Sequence, residues 1–419
     1  MKGALSAGVR SAFVGQGLQS GGSFVATMLL LRVLGLGAFG ELGLLLILAG
    51  YGAGLVQALV AQPLLSLGPL VSREERLGYV RDAFAMGAFL AIALGVCAGA
   101  GVAALAASGR DVTMAAPAAG GLVALRSCQP AIRAALHTLE RTRWTPAYDA
   151  MAPWCACALL LGGVVPDGDV GRALTILSAS AALAVLFGAA GLWSLGLRFL
   201  PSTESLRRHW DSGRWLAGTQ ALSWVGTGSL HATTAVVLGA AGVGAIRAAQ
   251  SVVGAVLVVA QALELALPSK AAAAFQRGGE VELDHWCRTT ARACAGVFLA
   301  VGSVLIWVAP PCIERWMGAS SEMASEAFLG LAWLPVATVV GIVVQVRLRV
   351  TRQTRGIFAA YAASSVMSAA LAVPLVAKLG VLGAALGLTA GQVLFTVLLL
   401  AARRLPFHLR AVITTHPRA

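Results

Sequence analysis

SAFVGQGLQSGGSFVATMLLLRVLGLGAFGELGLLLILAGYGAGLVQALVAQPLLS, residues 11–66, decides the fold. Its only charged residues are Arg32 and Glu41. A helix needs about 20 mostly apolar residues to cross a bilayer, so the stretch reads as two spans joined by the turn Leu34-Gly35-Leu36-Gly37-Ala38-Phe39-Gly40. The rest of the chain repeats this character. Of 419 residues, 58% are hydrophobic and 12% charged, with a mean hydropathy of +0.81, which excludes a water-soluble globule. The pattern predicts an all-α polytopic membrane protein with spans near 11–34, 38–66, 82–107, 113–136, 146–165, 171–197, 214–238, 242–267, 290–310, 325–346, 356–377 and 382–402.

The net charge of +13 is explained by topology. With the N-terminus inside, 23 of the 31 Lys and Arg fall on inside segments, as expected for cytoplasmic loops. Both termini are then cytoplasmic, and the basic composition requires no nucleic-acid partner. The first apolar run is too long for a secretory h-region and reads as an uncleaved span. The seven cysteines have neither metal-like nor redox spacing.

Shifting the sequence by 204 residues aligns spans one and two with seven and eight. Arg10 meets Arg214, Gln16 meets Gln220, Leu34-Gly35 meets Leu238-Gly239, Gly40 meets Gly244, and Gln57-Ala58-Leu59 meets Gln261-Ala262-Leu263; in all, 12 of 54 positions are identical. Six spans separate the copies, so they are parallel repeats about an axis along the membrane normal. The expected units are an N-terminal lobe (1–197), a cytoplasmic hinge (198–213), a C-terminal lobe (214–402) and a tail (403–419). Two such lobes usually enclose a central cavity. The hinge residues Glu204 to Trp210 read either as a short amphipathic helix on the inner leaflet or as a solvated linker.

Charges within the membrane are costly and generally face a bundle interior or a watery cavity. In span four, Arg126, Gln129, Arg133 and His137 share one helical face, with Pro130 interrupting the span. Two arginines two turns apart suit phosphate or carboxylate oxygens; the alternative is that Arg133 snorkels and Arg126 pairs structurally. Span eight carries Arg247, Gln250, Ser251, Gly254, Gln261 and Glu264 near one face, with Glu264 within reach of Lys270. Span seven carries Gln220, Trp224, Thr227, His231 and Thr234, and span one carries Gln16, Gln19, Ser20, Ser23 and Thr27. We read these four stripes as cavity walls, with Arg126, Arg133, Arg247 and Gln129 for an anionic head group and Gln16, Gln19, Ser23, Gln220, Thr227, His231 and Gln261 lining the cavity. His231 and Glu264 are candidates for ion coupling. There is no catalytic motif, P-loop or paired metal-ligand set, so neither enzymatic activity nor a metal or organic cofactor is expected.

The opening segment resembles the polysaccharide flippases. Gly15-Gln16-Gly17 followed by Leu31-Arg32-Val33-Leu34-Gly35-Leu36-Gly37-Ala38-Phe39-Gly40-Glu41-Leu42-Gly43 is similar to the signature of O-antigen (Wzx-type) and capsule transporters of the MOP (MATE-like) superfamily. Leu42 departs from it, since the family pattern has an aromatic there. The resemblance implies a twelve-helix, two-lobe bacterial inner-membrane flippase that moves an undecaprenyl-diphosphate-linked oligosaccharide outward. It also implies drive by an H⁺ or Na⁺ gradient and company with membrane lipids and polysaccharide polymerase or export proteins. The competing expectation is a MATE-like antiporter of drugs or metabolites. Such a transporter would be expected to have an acid deep in the N-terminal lobe, and spans one to six have no clearly central one, since Glu41 and Asp149 lie near helix ends. A glycan polymerase or ligase would need a large outside loop, and the expected outside loops are short.

Overall fold

The computed structural model describes residues 2–68, 71–108, 116–141, 143–162, 168–193, 202–317, 321–351 and 353–403. The start of the expected hinge and nearly all of the tail lie outside these residues. The described chain is helical throughout, and long apolar runs bend rather than stop. Lys2–Val56 is a single hydrogen-bonded run broken at Gly35 (φ 71°, ψ 171°), and Thr203–Met317 breaks at Gly239 (φ 73°, ψ −173°). These conformations are open to glycine and strained for any L side chain. They occur 204 residues apart, the offset of the sequence repeat. The second run breaks again at Gly278 and Gly279, and Thr354–Arg403 breaks at Gly380.

Among the described residues, dividing the runs at these kinks and counting Ser321–Leu331 and Leu334–Val350, parted only by a short turn, as one gives twelve helices: α1 (2–34), α2 (36–67), α3 (73–107), α4 (116–138), α5 (145–161), α6 (170–191), α7 (203–238), α8 (240–277), α9 (280–317), α10 (321–350), α11 (354–379) and α12 (381–403). Local chemistry sets the ends. Ser72 caps α3 by accepting from the Glu75 amide at 3.3 Å, with Glu74 and Glu75 in the first turn, and Asp169 caps α6 through the Arg172 amide at 2.9 Å. Most helices are long and apolar enough to cross a membrane. α4, which carries Arg126 and Arg133, and α5, with 17 residues, complete the set of twelve.

The buried apolar residues show how the two lobes meet. At the end of the bundle bearing the α1–α2 turn, one core runs through both lobes, from Leu30, Phe39 and Leu42 through Leu122 and Leu174 to Ile246, Phe328 and Leu331. Toward the opposite, arginine-rich end the cores separate. One belongs to α2–α6 around Leu64, Ile132 and Leu136, and others belong to α8–α12 around Leu283, Val343 and Leu399. The lobes therefore share one apolar core at the turn end and keep separate apolar cores toward the basic end.

The turn-end contact is between backbones. A Cβ on Gly40 would lie 1.8 Å from the Ala240 carbonyl oxygen, and one on Gly244 would lie 2.2 Å from that of Leu36. The repeat thus returns as a symmetric crossing of α2 and α8.

At the basic end, the segment expected to be a hinge is the helical beginning of α7. Ser205, His209 and Gly213, spaced every four residues, share one face. Ser205 Oγ donates to Asp82 Oδ2 (3.0 Å), the His209 ring stacks on Tyr79 (5.3 Å between centroids), and His209 Nδ1 is 3.3 Å from the Leu59 carbonyl. Gly213 packs on the Leu59 backbone. Leu206 and Trp210 remain exposed on the other side, and the segment is a packed helix rather than an irregular linker. Burial pushes the His209 imidazole below its ordinary value, with the Leu59 carbonyl working the other way. A released segment therefore takes up its proton at higher pH than the docked one. The docked state is fully stable above about pH 6.5 and weakens as pH falls below it. Amide exchange across 203–213, corrected for its intrinsic rate, is expected to quicken near pH 5.5 in the wild type and to lose that pH dependence in His209→Gln.

A buried ion pair ties α10 to α9. Arg347, 3% exposed, pairs with Asp284 and lies 3.9 Å from Glu280. Removing one partner of such a pair leaves the other uncompensated, so Arg347→Ala should cost about 3 kcal/mol, read as a lower midpoint of thermal unfolding in detergent.

Candidate functional site: a cationic cavity of the N-terminal lobe

A cavity of about 360 Å³ lies within the N-terminal lobe and is overhung by one C-terminal residue, Arg247. Its polar lining comprises Gln19, Ser23 and Thr27 from α1, Gln57 from α2, Arg126, Gln129 and Arg133 from α4, Tyr148 and Asp149 from α5, and Arg247 from α8. Gln57 opens a π turn, Gln57–Ala61, a local widening often found at functional sites. Arg247 reaches the cavity by crossing α2 at Gly43, where a Cβ would come within 3.3 Å of its Cγ.

The three arginines differ in their partners. Arg133 is held by Gln16 Oε1 (3.4 Å) and by Asp149 Oδ2 (3.1 Å), and the Asp149 carboxylate is almost fully buried. Arg126 and Arg247 have no ion-pair partner among the described residues, and the Nε of each is sealed without a hydrogen-bond acceptor. Each feels the charge of the other. Arg126 lies ten residues from the start of α4 and Arg247 eight from the Gly239 kink, depths of roughly 15 and 12 Å. Both are therefore near the middle of an apolar layer about 30 Å thick. Like charges at that depth repel and are poorly solvated. An anion held between them relieves both costs, and because the arginines come from different lobes it also bridges the lobes.

The expected cavity residues thus divide. Arg126, Gln129, Arg133, Arg247, Gln19 and Ser23 line one cavity, and Gln16 stands at its edge holding Arg133. The stripe on α7 does not join them, contrary to expectation. α7 packs across the lobe boundary on α2, where Tyr51 stacks on Trp224 (5.0 Å, 25°) and Tyr51 Oη lies 3.4 Å from Thr227 Oγ1. Gln220 lies against Gly54 of α2, and Thr227 lines a separate cavity of about 70 Å³ in the C-terminal lobe. His231 is buried and turned onto its own helix, with Nδ1 2.8 Å from the Thr227 carbonyl, so it reaches neither cavity. The Gln261 side chain lies outside the described residues.

Glu264 is half-exposed at the basic end and pairs with Arg349 (3.5 Å) rather than with Lys270. Neither candidate for ion coupling therefore faces the main cavity. Asp149 does, although its place near a helix end suggested otherwise. The cavity reaches that far toward the basic end, so a residue one turn into α5 is already in its wall. Its sequence signal was weak: an acid four residues after Thr145 in an otherwise apolar span.

No protein-family model matches the chain, and no curated protein matches it. Solved structures do. An inward-facing MATE family multidrug transporter of the MOP superfamily superposes with a TM-score of 0.67 at 17% identity, covering 97% of this chain and 96% of that one. The lipid II flippase MurJ in its inward closed conformation gives 0.70 at 11% identity, covering 98% and 93%. A MOP superfamily transporter from Pyrococcus furiosus, described as having a binding pocket of reverse polarity that suggests a different function, gives 0.63 at 16% identity, covering 98% and 96%. At these identities the likeness is one of fold: this multi-pass membrane protein has the fold seen in those MATE transporters and in MurJ.

Proposed function

We propose that the protein is a flippase that carries a lipid with an anionic, diphosphate-type head group across a bacterial inner membrane by alternating access, with an undecaprenyl-diphosphate-linked oligosaccharide as its cargo. The observation that carries this reading is the pair Arg126 and Arg247, one from each lobe, facing one cavity without an acid to neutralise them. A diphosphate offers oxygens to both guanidiniums at once, and Arg engages such oxygens bidentately. The cavity wall runs toward the basic end through Arg133 and Asp149, which matches entry from the cytoplasmic leaflet, since basic residues collect on that side. The lipid tail stays in the bilayer while the head group crosses. An ion gradient supplies the energy, and polymerase or export proteins receive the product.

Deleting the gene and complementing it with wild type, Arg126→Lys or Arg126→Ala tests this reading. Wild type restores surface polysaccharide, Arg126→Lys does so in part, and Arg126→Ala leaves lipid-linked glycan accumulated on the inner leaflet. Normal surface glycan in the deletion strain overturns it.

The buried Asp149 carboxylate favours a second reading, a MATE-like antiporter of cationic compounds. If that reading is right, Asp149→Asn abolishes resistance to cationic drugs in an overexpressing strain. If the flippase reading is right, resistance does not respond to the protein at all.

A further inference from the structure

The Tyr51–Trp224 pair ties α2, whose Gly50 and Ala53 line the cationic cavity, to α7, whose Ser223 and Thr227 line the smaller C-terminal cavity. Tyr51 is sixteen residues beyond the Gly35 kink and Trp224 fifteen before Gly239, so both rings sit roughly 22–24 Å from the turn end, about 10 Å closer to the basic end than the arginines. Immediately behind them the smaller cavity is lined by Ser223, Thr227, Ser364, Ser365, Ser368 and Gln392, with no charged residue in its wall. The two cavities therefore differ in chemistry. One is cationic; the other is neutral and rich in hydroxyls, and the Tyr51 hydroxyl touches its wall at Thr227.

We infer that Tyr51, Trp224 and this hydroxyl-lined pocket form a sugar subsite, which takes the sugar ring next to the head group while the arginines hold the diphosphate; the inference rests on the flippase reading above. A pyranose has an apolar C–H face, weakly positive and complementary to the electron-rich face of an aromatic ring. Around its edge it carries hydroxyls that must each find a donor or an acceptor. The pair and the pocket supply both, and neither competes for phosphate. The distance is also suitable, because a depth of about 10 Å separates the subsites, within reach of a sugar joined directly to a diphosphate. The rings now face each other, and the 3.4 Å contact from Tyr51 to Thr227 is long and accessible. A sugar hydroxyl can replace it as the rings part and the two cavities become one.

The test uses the full-length protein in lipid nanodiscs and two probes, undecaprenyl diphosphate and the same lipid bearing one hexose. Trp224→Ala is expected to weaken the hexosyl lipid about tenfold and leave the bare diphosphate lipid within about twofold. Trp224→Phe keeps an aromatic face and most of the affinity. Thr227→Val preserves shape, removes one hydroxyl and weakens only the hexosyl lipid, about threefold. Arg126→Ala weakens both lipids. Equal losses for both lipids in Trp224→Ala and Thr227→Val would reduce the pair to a contact between lobes and overturn the subsite. Indifference of both lipids to Arg126→Ala would overturn the flippase reading itself, and the subsite with it.

Discussion

Replacing Arg126 or Arg247 by alanine is expected to weaken binding of a diphosphate-bearing lipid by about 10- to 100-fold, the range for losing a charge-assisted hydrogen bond from a poorly solvated site. The two effects should not add. If one anion bridges both guanidiniums, each single change already breaks the bridge, and the double variant loses less than the product of the two. Lysine at either position keeps the charge but not the planar fork, so an intermediate loss is expected. Arg133→Ala is the internal control. Its guanidinium is already engaged by Asp149 and Gln16, so its removal should cost the anion less and the stability of the α4–α5 contact more. Lipid binding and unfolding midpoints measured on the same nanodisc samples separate these effects. Additive losses at Arg126 and Arg247 would mean that no shared anion exists.

The second large effect concerns closure at the turn end. A β carbon at position 40 would lie 1.8 Å from a carbonyl oxygen of α8, a contact that only backbone separation can relieve. Gly40→Val should therefore hold the turn ends of α2 and α8 apart and stop the transport cycle while leaving the Arg126 site able to bind. Spin labels on the turn ends of the two helices should report a longer distance in this variant than in wild type. Gly37→Val, one turn away and with nothing near its β position, should change neither distance nor transport. An unchanged distance in Gly40→Val would show that the close crossing is not what joins the lobes.

Much of this architecture is legible in the chain alone. Span count follows from the length of the apolar runs, because a bilayer imposes a minimum length and requires every backbone group to bond within its own helix. The repeat was visible as Leu34-Gly35 against Leu238-Gly239, and the structure shows why those letters recur: both glycines adopt a positive-φ conformation that other residues adopt only under strain. The grouping of Arg126, Gln129 and Arg133 was also legible, because helical periodicity is a local property.

What lay beyond the sequence was which helix each stripe faces. The polar face of α7 gives no sign in its own spacing that it meets α2 and the C-terminal pocket instead of the main cavity. Nor does the place of Asp149 near a helix end show that the main cavity reaches there and takes it into its wall. Periodicity determines which residues share a face, whereas the packing of twelve helices from two lobes decides what that face meets. The sequence by itself determined a twelve-helix membrane protein with two related halves and arginines deep in the bilayer. Only the tertiary structure decided that Arg133 is neutralised and that Arg126 and Arg247 face one cavity from opposite lobes, because charge pairing depends on distances between helices far apart in the chain.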